Sequence, residues 1–439
     1  MDNIIRERIL DFHKSGISEF IRRDTAVNHV KDMVTTIVGG RKTGKTYLTY
    51  QIIDDLIRGK RIKSLKQVCY LHFDDESLAA LKAEELSKID KIFLSLLDED
   101  GEKENLLFVF DEIHNVPGWE NFVLRLKKKS NWLVVVTGST AELEEDKVAR
   151  QLRGKTFTNR VYPLSFREFI RFNGSSLDLA RMSGADKAEA VRLSEDYMKK
   201  GSYPAAATLD PQLTRQLLQN YFNSIVVSDF ILNKNMQNPA VCKTYLRNLL
   251  QKNACPYTHK KELNNLKSVG FNLAPKTVSD WFRLSEDVYF TGNAAINTSS
   301  LKRISQNYRK IYSCDWAMAN AVSGWSEKRN SRTLESIVFW HLIREGFKVA
   351  YDIVGQEKYE VDFVVYKPGK KASLAIQVCS DAGDETTMDR ETRSLRLICK
   401  HNPALKPVIL TQFEPSRKSD IPVFTVLDLL GGELLKEIL

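Results

Sequence analysis

The spacing of apolar positions along this chain changes period several times, and each change predicts a different element. Thr35, Thr36, Ile37 and Val38 form a β-branched run, the mark of a strand. Behind it Leu48, Ile52, Ile53, Leu56 and Ile57 recur at helical spacing. Residues 67–73, 106–111 and 132–137 are short, nearly continuous apolar runs, as expected of strands covered on both faces, and 156–162 adds a fifth. Residues 78–97 read as a helix between the second and third runs. Upstream, Ile5, Ile9, Phe12, Ile17, Phe20 and Ile21 predict one or two helices over 1–32, with charges such as Arg22 and Arg23 on a solvated face. Beyond residue 163 the pattern is helical to about 238, opened by a capping box at Ser165 and Glu168. Short helices and then strands follow to 315. From about 330 come a helix that includes Leu334 and Glu335, an alternating strand over 359–366, a turn at Lys367-Pro368-Gly369 and a strand over 374–379.

At 439 residues the chain is too long for one ordinary core, and its length suggests about three domains. The charge of +9 favours an anionic partner such as nucleic acid, although the basic residues are dispersed. Cys69, Cys242, Cys255, Cys314, Cys379 and Cys399 contain no C-x-x-C pair, which argues against a structural zinc site and a disulfide framework. The N-terminus is charged from Asp2, unlike a signal peptide, and no apolar run approaches the ~18 residues a membrane span needs. The expectation is a cytoplasmic protein without a membrane partner.

The first strand leads into Gly39, Gly40, Arg41, Lys42, Thr43, Gly44, Lys45 and Thr46, which fit G-x-x-x-x-G-K-[ST]. Backbone N–H groups wrap a phosphate only where the chain turns tightly, so glycines stand where a Cβ would clash. Lys45 would bring its charge to the β- and γ-phosphates of ATP, Thr46 a hydroxyl to Mg²⁺, and the following helix its N-terminal dipole. The third apolar run ends in Asp111 and Glu112. Asp111 would order Mg²⁺ through water, and Glu112 would polarise the attacking water. Asp74, Asp75 and Glu76 end the second strand and read more simply as helix-capping groups. The fourth strand ends in Gly138-Ser139-Thr140, making Ser139 a candidate γ-phosphate sensor, with a plain turn serine as the competing reading. Arg150, Arg153 and Lys155 precede the fifth strand, where one cation would act as an arginine finger on a neighbouring subunit or the group would form a solvated basic turn.

GGRKTGKT, the strand ending in Phe73-Asp74-Asp75, FVFDEIHNVPGW, VVTGST, QLRGKT and YPLSFREF occur in this order. Together they resemble the bacterial and archaeal P-loop ATPases of the AAA superfamily that carry a winged-helix module and a restriction-endonuclease-like C-terminal domain. The resemblance implies an α/β architecture: an AAA-type parallel sheet in 1–163, a helical lid in 164–237, a winged helix in 238–325 and a nuclease-like domain in 326–439. It also implies the roles given above for Gly39 through Thr46, Asp111, Glu112 and Ser139. Relatives commonly show arginine where Lys155 stands, which leaves the finger open among Arg150, Arg153 and Lys155. Lys200-Gly201-Ser202-Tyr203-Pro204 resembles the family's Gly-x-x-Pro element beside the adenine, which would give Tyr203 and Pro204 a nucleotide contact; alone, it reads as a helix–helix turn.

Residues 260–267, a turn at Gly270 and a stretch from Ala274 to Arg283 resemble a helix-turn-helix, with Pro275 near the start of its second helix. A helix in a major groove would bring Lys276, Thr277, Ser279 and Asp280 to double-stranded DNA, with Lys302, Arg303, Arg309 and Lys310 reaching phosphates from the wing. Winged helices also serve as packing modules, and Asp280 on the reading face would repel phosphate. In the last domain Glu335 and Asp362 match the two acids of the restriction-endonuclease core. Gln377-Val378-Cys379 replaces its Glu-x-Lys. Gln377 still offers a carbonyl, but Cys379 cannot replace a cationic lysine at the transition state, so the nuclease-like site reads as vestigial. Asp389, Arg390 and Glu391 read as a surface ion-pair face. The first functional expectation is an ATPase whose cycle switches the C-terminal modules, on DNA or through a homo-oligomer or protein partner. A nucleotide-gated binding switch with negligible turnover and an ATP-regulated nuclease are the alternatives.

Overall fold

The computed structural model describes the chain apart from residues 31, 98–102, 129–130, 139–151, 233–237, 299, 301–307, 325–328, 356–358, 368, 370–371, 381–384, 415–418, 433 and 436–439. The chain divides into two compact units, Met1–Pro163 and Leu164–Leu439.

The first unit is built on five parallel strands: β1 (Val34–Gly39), β2 (Val68–His72), β3 (Leu107–Asp111), β4 (Leu133–Gly138) and β5 (Thr156–Val161). Their spatial order is β2-β3-β4-β1-β5. Every residue of β1, β3 and β4 is buried, and the alternation explains why these runs carry no polar face. Phe108 and Phe110 enter one core with Leu71 and Val136, while Leu107 and Val109 enter the other with Ile37, Leu48, Ile52 and Ile53. The N-terminal helix Asp2–Ser15 docks through Ile5 and Ile9, and Phe12 stacks on Tyr70 with centroids 4.6 Å apart. It ends at Gly16, and residues 17–30 form no second helix, leaving Ile21 exposed. The single helix expected over 78–97 is instead a set of short pieces, Ala83–Leu86 and Ile89–Leu94 among them. Leu78, Leu81, Leu86, Ile89 and Phe93 are all buried, but the five-residue step from Leu81 to Leu86 breaks the 3.6-residue period, so one straight helix cannot bury them all.

The second unit opens with helices Phe166–Phe172, Gly184–Lys200 and Pro211–Ile225, capped by Ser165, Ser183 and Asp210. Its sheet has eight strands: β6 (Cys255–Tyr257), β7 (Thr291–Ile296), β8 (Arg309–Ser313), β9 (Lys348–Val354), β10 (Tyr359–Tyr366), β11 (Ala372–Cys379), β12 (Lys406–Thr411) and β13 (Val423–Thr425). They run in the order β13-β12-β11-β10-β9-β7-β8-β6. Strands from the segment expected as a winged helix (238–325) therefore join strands of the expected nuclease-like segment (326–439). The joint is the parallel pairing Ala295↔Ala350 and Ile296↔Tyr351, so the sheet does not break at 325/326. Helices Pro239–Gln251, His259–Ser268 and Pro275–Asp287 lie between the first helices and β7 in the sequence. The two outermost strands, β6 and β13, are three residues each, and Pro256 sits at the centre of β6.

Candidate nucleotide site and a second charged cluster

The phosphate loop follows β1 directly, and two of its glycines answer to specific constraints. A Cβ on Gly39 would stand 2.4 Å from the Val161 carbonyl of β5, so only glycine allows that approach. Gly44 has φ +98 and caps the helix Lys45–Arg58, a left-handed backbone that suits glycine. Lys42 also lies in the left-handed region, with φ +63, and its side chain is exposed. Thr43 Oγ1 donates to the Gly40 carbonyl at 2.9 Å, closing the loop on itself.

Lys45 is buried, and its ammonium meets Glu112 Oε1 at 3.3 Å and the carbonyls of Gly39 and Gly40 at 3.2 and 3.3 Å. Thr46 Oγ1 donates to Asp111 Oδ2 at 2.7 Å, so the first helical turn and the end of β3 meet. Asp111 is fully buried and takes two further hydroxyls, from Tyr70 at 2.9 Å and from Thr137. Burial beside Asp111 pushes the Tyr70 phenol well above its usual range, so it stays a donor. Thr137 Oγ1 also accepts the Glu112 N–H at 3.0 Å, linking the end of β4 to both acids. Glu112 has φ +56, a conformation few non-glycine residues adopt, and its other oxygen lies 3.3 Å from His114 Nδ1.

Sequence reasoning reached Lys45, Thr46, Asp111 and Glu112, and the fold brings the four together. It missed Thr137, whose only signal is a polar residue ending an apolar run. It also set Arg23 on a solvated face, which the structure corrects. Arg23 is buried; it donates to the Thr43 carbonyl at 2.7 Å and to the Tyr162 carbonyl at 2.8 Å, while its N–H meets Gln51 Oε1 at 2.8 Å. Its neighbour Arg22 does lie at the surface, paired with Asp54 at 2.8 Å and with Asp55. Ser139 and Arg150 lie outside the described residues. Arg153 is exposed in a turn with φ +52, followed by exposed Lys155. Tyr203 and Pro204 belong to the second unit. There Tyr203 is buried against Tyr221, with its hydroxyl 3.5 Å from Cys314 Sγ, and Ser202 donates twice to buried Asp315.

Lys276, Ser279 and Asp280 are exposed on the helix Pro275–Asp287 and Thr277 is half-buried, while Val278, Trp281 and Phe282 face inward. Lys302 and Arg303 lie outside the described residues. Arg309 donates to Asn293 Oδ1 at 2.6 Å. Lys310 overturns the expectation of a phosphate contact, because it is buried. Its ammonium lies 2.5 Å from Glu335 Oε1, 2.6 Å from Glu360 Oε1 and 3.0 Å from Asp362 Oδ1. Tyr312 donates to the same Glu335 oxygen at 2.6 Å. Burial pushes the Glu335 carboxyl up to about 8, against the pull of Lys310. Gln377 Oε1 accepts the Asp362 N–H at 3.2 Å, and its amide donates to Glu391 at 2.5 Å. Glu391, read from the sequence as a surface residue, is buried there with Arg390 beside it. Among the described residues no group of three or more His, Cys, Asp or Glu is arranged to hold a metal ion. Among them also, no helix is long and apolar enough to cross a membrane.

Residues 31–170 match a family described as an AAA domain, and residues 191–329 match a domain of unknown function (DUF8612). The second match runs across the boundary expected at 237/238. The chain is 29% identical over 380 residues to an uncharacterized protein of Methanocaldococcus jannaschii, covering 86% of this chain and 81% of that one. It is 26% identical over 403 residues to an uncharacterized protein of Haemophilus influenzae, covering 91% and 94%. Among solved structures, a Walker-type ATPase of Pyrococcus abyssi aligns over 72% of this chain and 94% of its own, at 13% identity and a TM-score of 0.41. The ORC1 protein of Aeropyrum pernix, in complex with DNA, aligns over 73% and 91% at 14% identity and a TM-score of 0.31. The parallel sheet and the G-x-x-x-x-G-K-[ST] loop of the N-terminal unit agree with the AAA-domain match over residues 31–170 and with a P-loop fold.

Proposed function

We propose that the first unit binds and hydrolyses ATP with Mg²⁺, and that the nucleotide cycle switches the second unit's modules on DNA or on a protein partner. The observation that carries this reading is the convergence of Lys45, Thr46, Asp111 and Glu112 at the carboxyl ends of β1 and β3. The donor set fits a hard cation: a hydroxyl and a fully buried carboxylate that converge beside the loop. Thr46 would hold Mg²⁺ directly and Asp111 through water; once bound, the ion neutralises charge on the transferring phosphoryl group. Residues 39–46 would cradle the phosphates with their backbone N–H groups. Lys45, now shared among Glu112 and two carbonyls, would exchange those partners for phosphate oxygens. Glu112, freed from the ammonium, would orient the attacking water. Ser139 is proposed as the γ-phosphate sensor, and exposed Arg153 as a finger reaching the nucleotide of a neighbouring copy. Tyr203 and Pro204 are kept as adenine contacts by the family resemblance alone.

Phosphate release by the purified chain, with and without duplex DNA, tests the reading, with Lys45→Ala as control. DNA-stimulated turnover that this substitution abolishes supports a switch acting on DNA, through a module that includes Lys276, Thr277 and Ser279. DNA-independent turnover moves the target to a protein. ATP binding without release in either condition replaces the ATPase with a nucleotide-gated binding switch.

A further inference from the structure

Three carboxylates and one ammonium meet inside the second unit, and their geometry assigns each a place. The Lys310 ammonium donates to Glu360 and Asp362 and forms a close ion pair with Glu335. Its side chain is 2% exposed, so it is sealed where it stands, whereas Glu360 keeps 34% exposure and marks the side nearest solvent. Asp362 and Gln377 are engaged by further partners as well. Asp362 Oδ2 accepts the Val378 N–H at 3.0 Å, and Gln377 Oε1, which the sequence offered as a ligand, is committed to the Asp362 N–H.

This arrangement needs a curled sheet. Lys310 is on β8 and Asp362 on β10, with β9 and β7 between them. At ~4.8 Å per strand, a flat sheet would separate β8 and β10 by about 14 Å, well beyond a lysine's reach. The ammonium–carboxylate distances therefore require the sheet to bend between β8 and β10, where β7 and β9 pair over two residues.

We propose that Lys310 is a tethered cation that fills this carboxylate cluster and excludes divalent metal ions from it. As arranged around the ammonium the three acids do not themselves form a metal-holding group; without the lysine they would be free to close on a divalent cation such as Mg²⁺ or Mn²⁺. A cation tethered to the backbone competes at very high local concentration, so an incoming metal must displace a buried ammonium already paired with all three acids. Catalytic metal chemistry is thereby blocked at this place in the chain, whether or not the first unit hydrolyses ATP.

Mn²⁺ binding to the full chain without nucleotide, counted by the loss of the free-ion paramagnetic resonance signal, tests this. Wild type is expected to bind no Mn²⁺ that Asp362→Asn removes. Lys310→Met, with its fold checked by circular dichroism, is expected to gain one site at least about tenfold tighter than any in wild type. That site should disappear in the Lys310→Met, Asp362→Asn double variant. A folded Lys310→Met chain with no added site overturns the proposal, as does an Asp362-dependent site in wild type. Should Lys310→Met fail to fold, wild type decides: acylation of amines read by mass spectrometry should leave Lys310 unmodified with and without Mn²⁺, and metal-dependent labelling of Lys310 overturns the proposal.

Discussion

Each unit places a buried lysine against acids, and the two settings differ in what the lysine is free to do. Lys45 faces a single carboxylate at 3.3 Å, beside a loop with left-handed backbone at Lys42 and Gly44. Lys310 faces three carboxylates at 3.0 Å or less, walled in by β-strands and by the helix Arg329–Arg344 that carries Glu335. The first lysine has one weak charge partner to exchange and neighbouring donors that would share a phosphate; the second is held by three acids at once. Residue type is the same in the two places. What separates an exchangeable site from a filled one is the number of charged acceptors and the freedom of the surrounding backbone.

The comparison breaks most visibly at Glu112. Replacing it with Gln should lower ATP turnover by at least about 10²-fold while leaving ATP binding intact, measured as phosphate release against nucleotide affinity. Equal loss of both would mean that the Lys45–Glu112 pair only supports the loop. Lys310→Met should cost about 3–5 kcal/mol of stability in metal-free buffer, because the buried acids around it lose their counter-charge; urea unfolding reads it. A cost within experimental error would show that the cluster tolerates protonation and does not need its cation. Arg23→Met leaves the Thr43 and Tyr162 carbonyls without a buried donor, for about 1–3 kcal/mol by the same measurement, and should weaken ATP binding as the loop loosens. Unchanged nucleotide affinity would separate that support from the site.

The smallest effect is a pH slope. Burial, with Arg344 and Arg167 nearby, pushes His341 down to about 3. Its folded value lies below the unfolded value of about 6.5, so the unfolded chain takes up the proton first. This contribution to stability is whole above pH 6.5 and drains as pH falls toward 3, at up to about 1.4 kcal/mol per pH unit. His341→Gln should flatten the slope in acid urea titrations. A slope that survives the substitution belongs to the carboxylate cluster instead.

Much of the first unit was legible because its information is local. The runs that became β1 to β5 are short and apolar, and the phosphate loop, Asp111 and Glu112 follow strand ends in the sequence itself. Thr137, Tyr70 and Arg23 were not legible, since each acts through a partner that only the sheet order β2-β3-β4-β1-β5 brings near. The second unit resisted for the same reason on a larger scale. A reading by segments ended one module at 325 and began another at 326, and so gave Lys310 to a phosphate and two of its three acids, Glu335 and Asp362, to a separate vestigial site. The β7–β9 pairing crosses that line, and a lysine absent from Gln377-Val378-Cys379 arrives from a strand more than sixty residues earlier. Residues 78–97 failed differently: the residue types suit a helix, but the five-residue step between buried leucines does not.

The abbreviated margins of the eight-stranded sheet bear on how the protein behaves when crowded. A long bare strand margin is a template on which further chains polymerise. Here β6 and β13 offer three residues each, and Pro256 lacks the N–H that a recruited strand would need. Concentrated preparations should therefore fail by loss of the fold before they fail by growth of fibrils from these margins, and lengthening β6 with Pro256→Val would be the quickest way to spoil their shelf life.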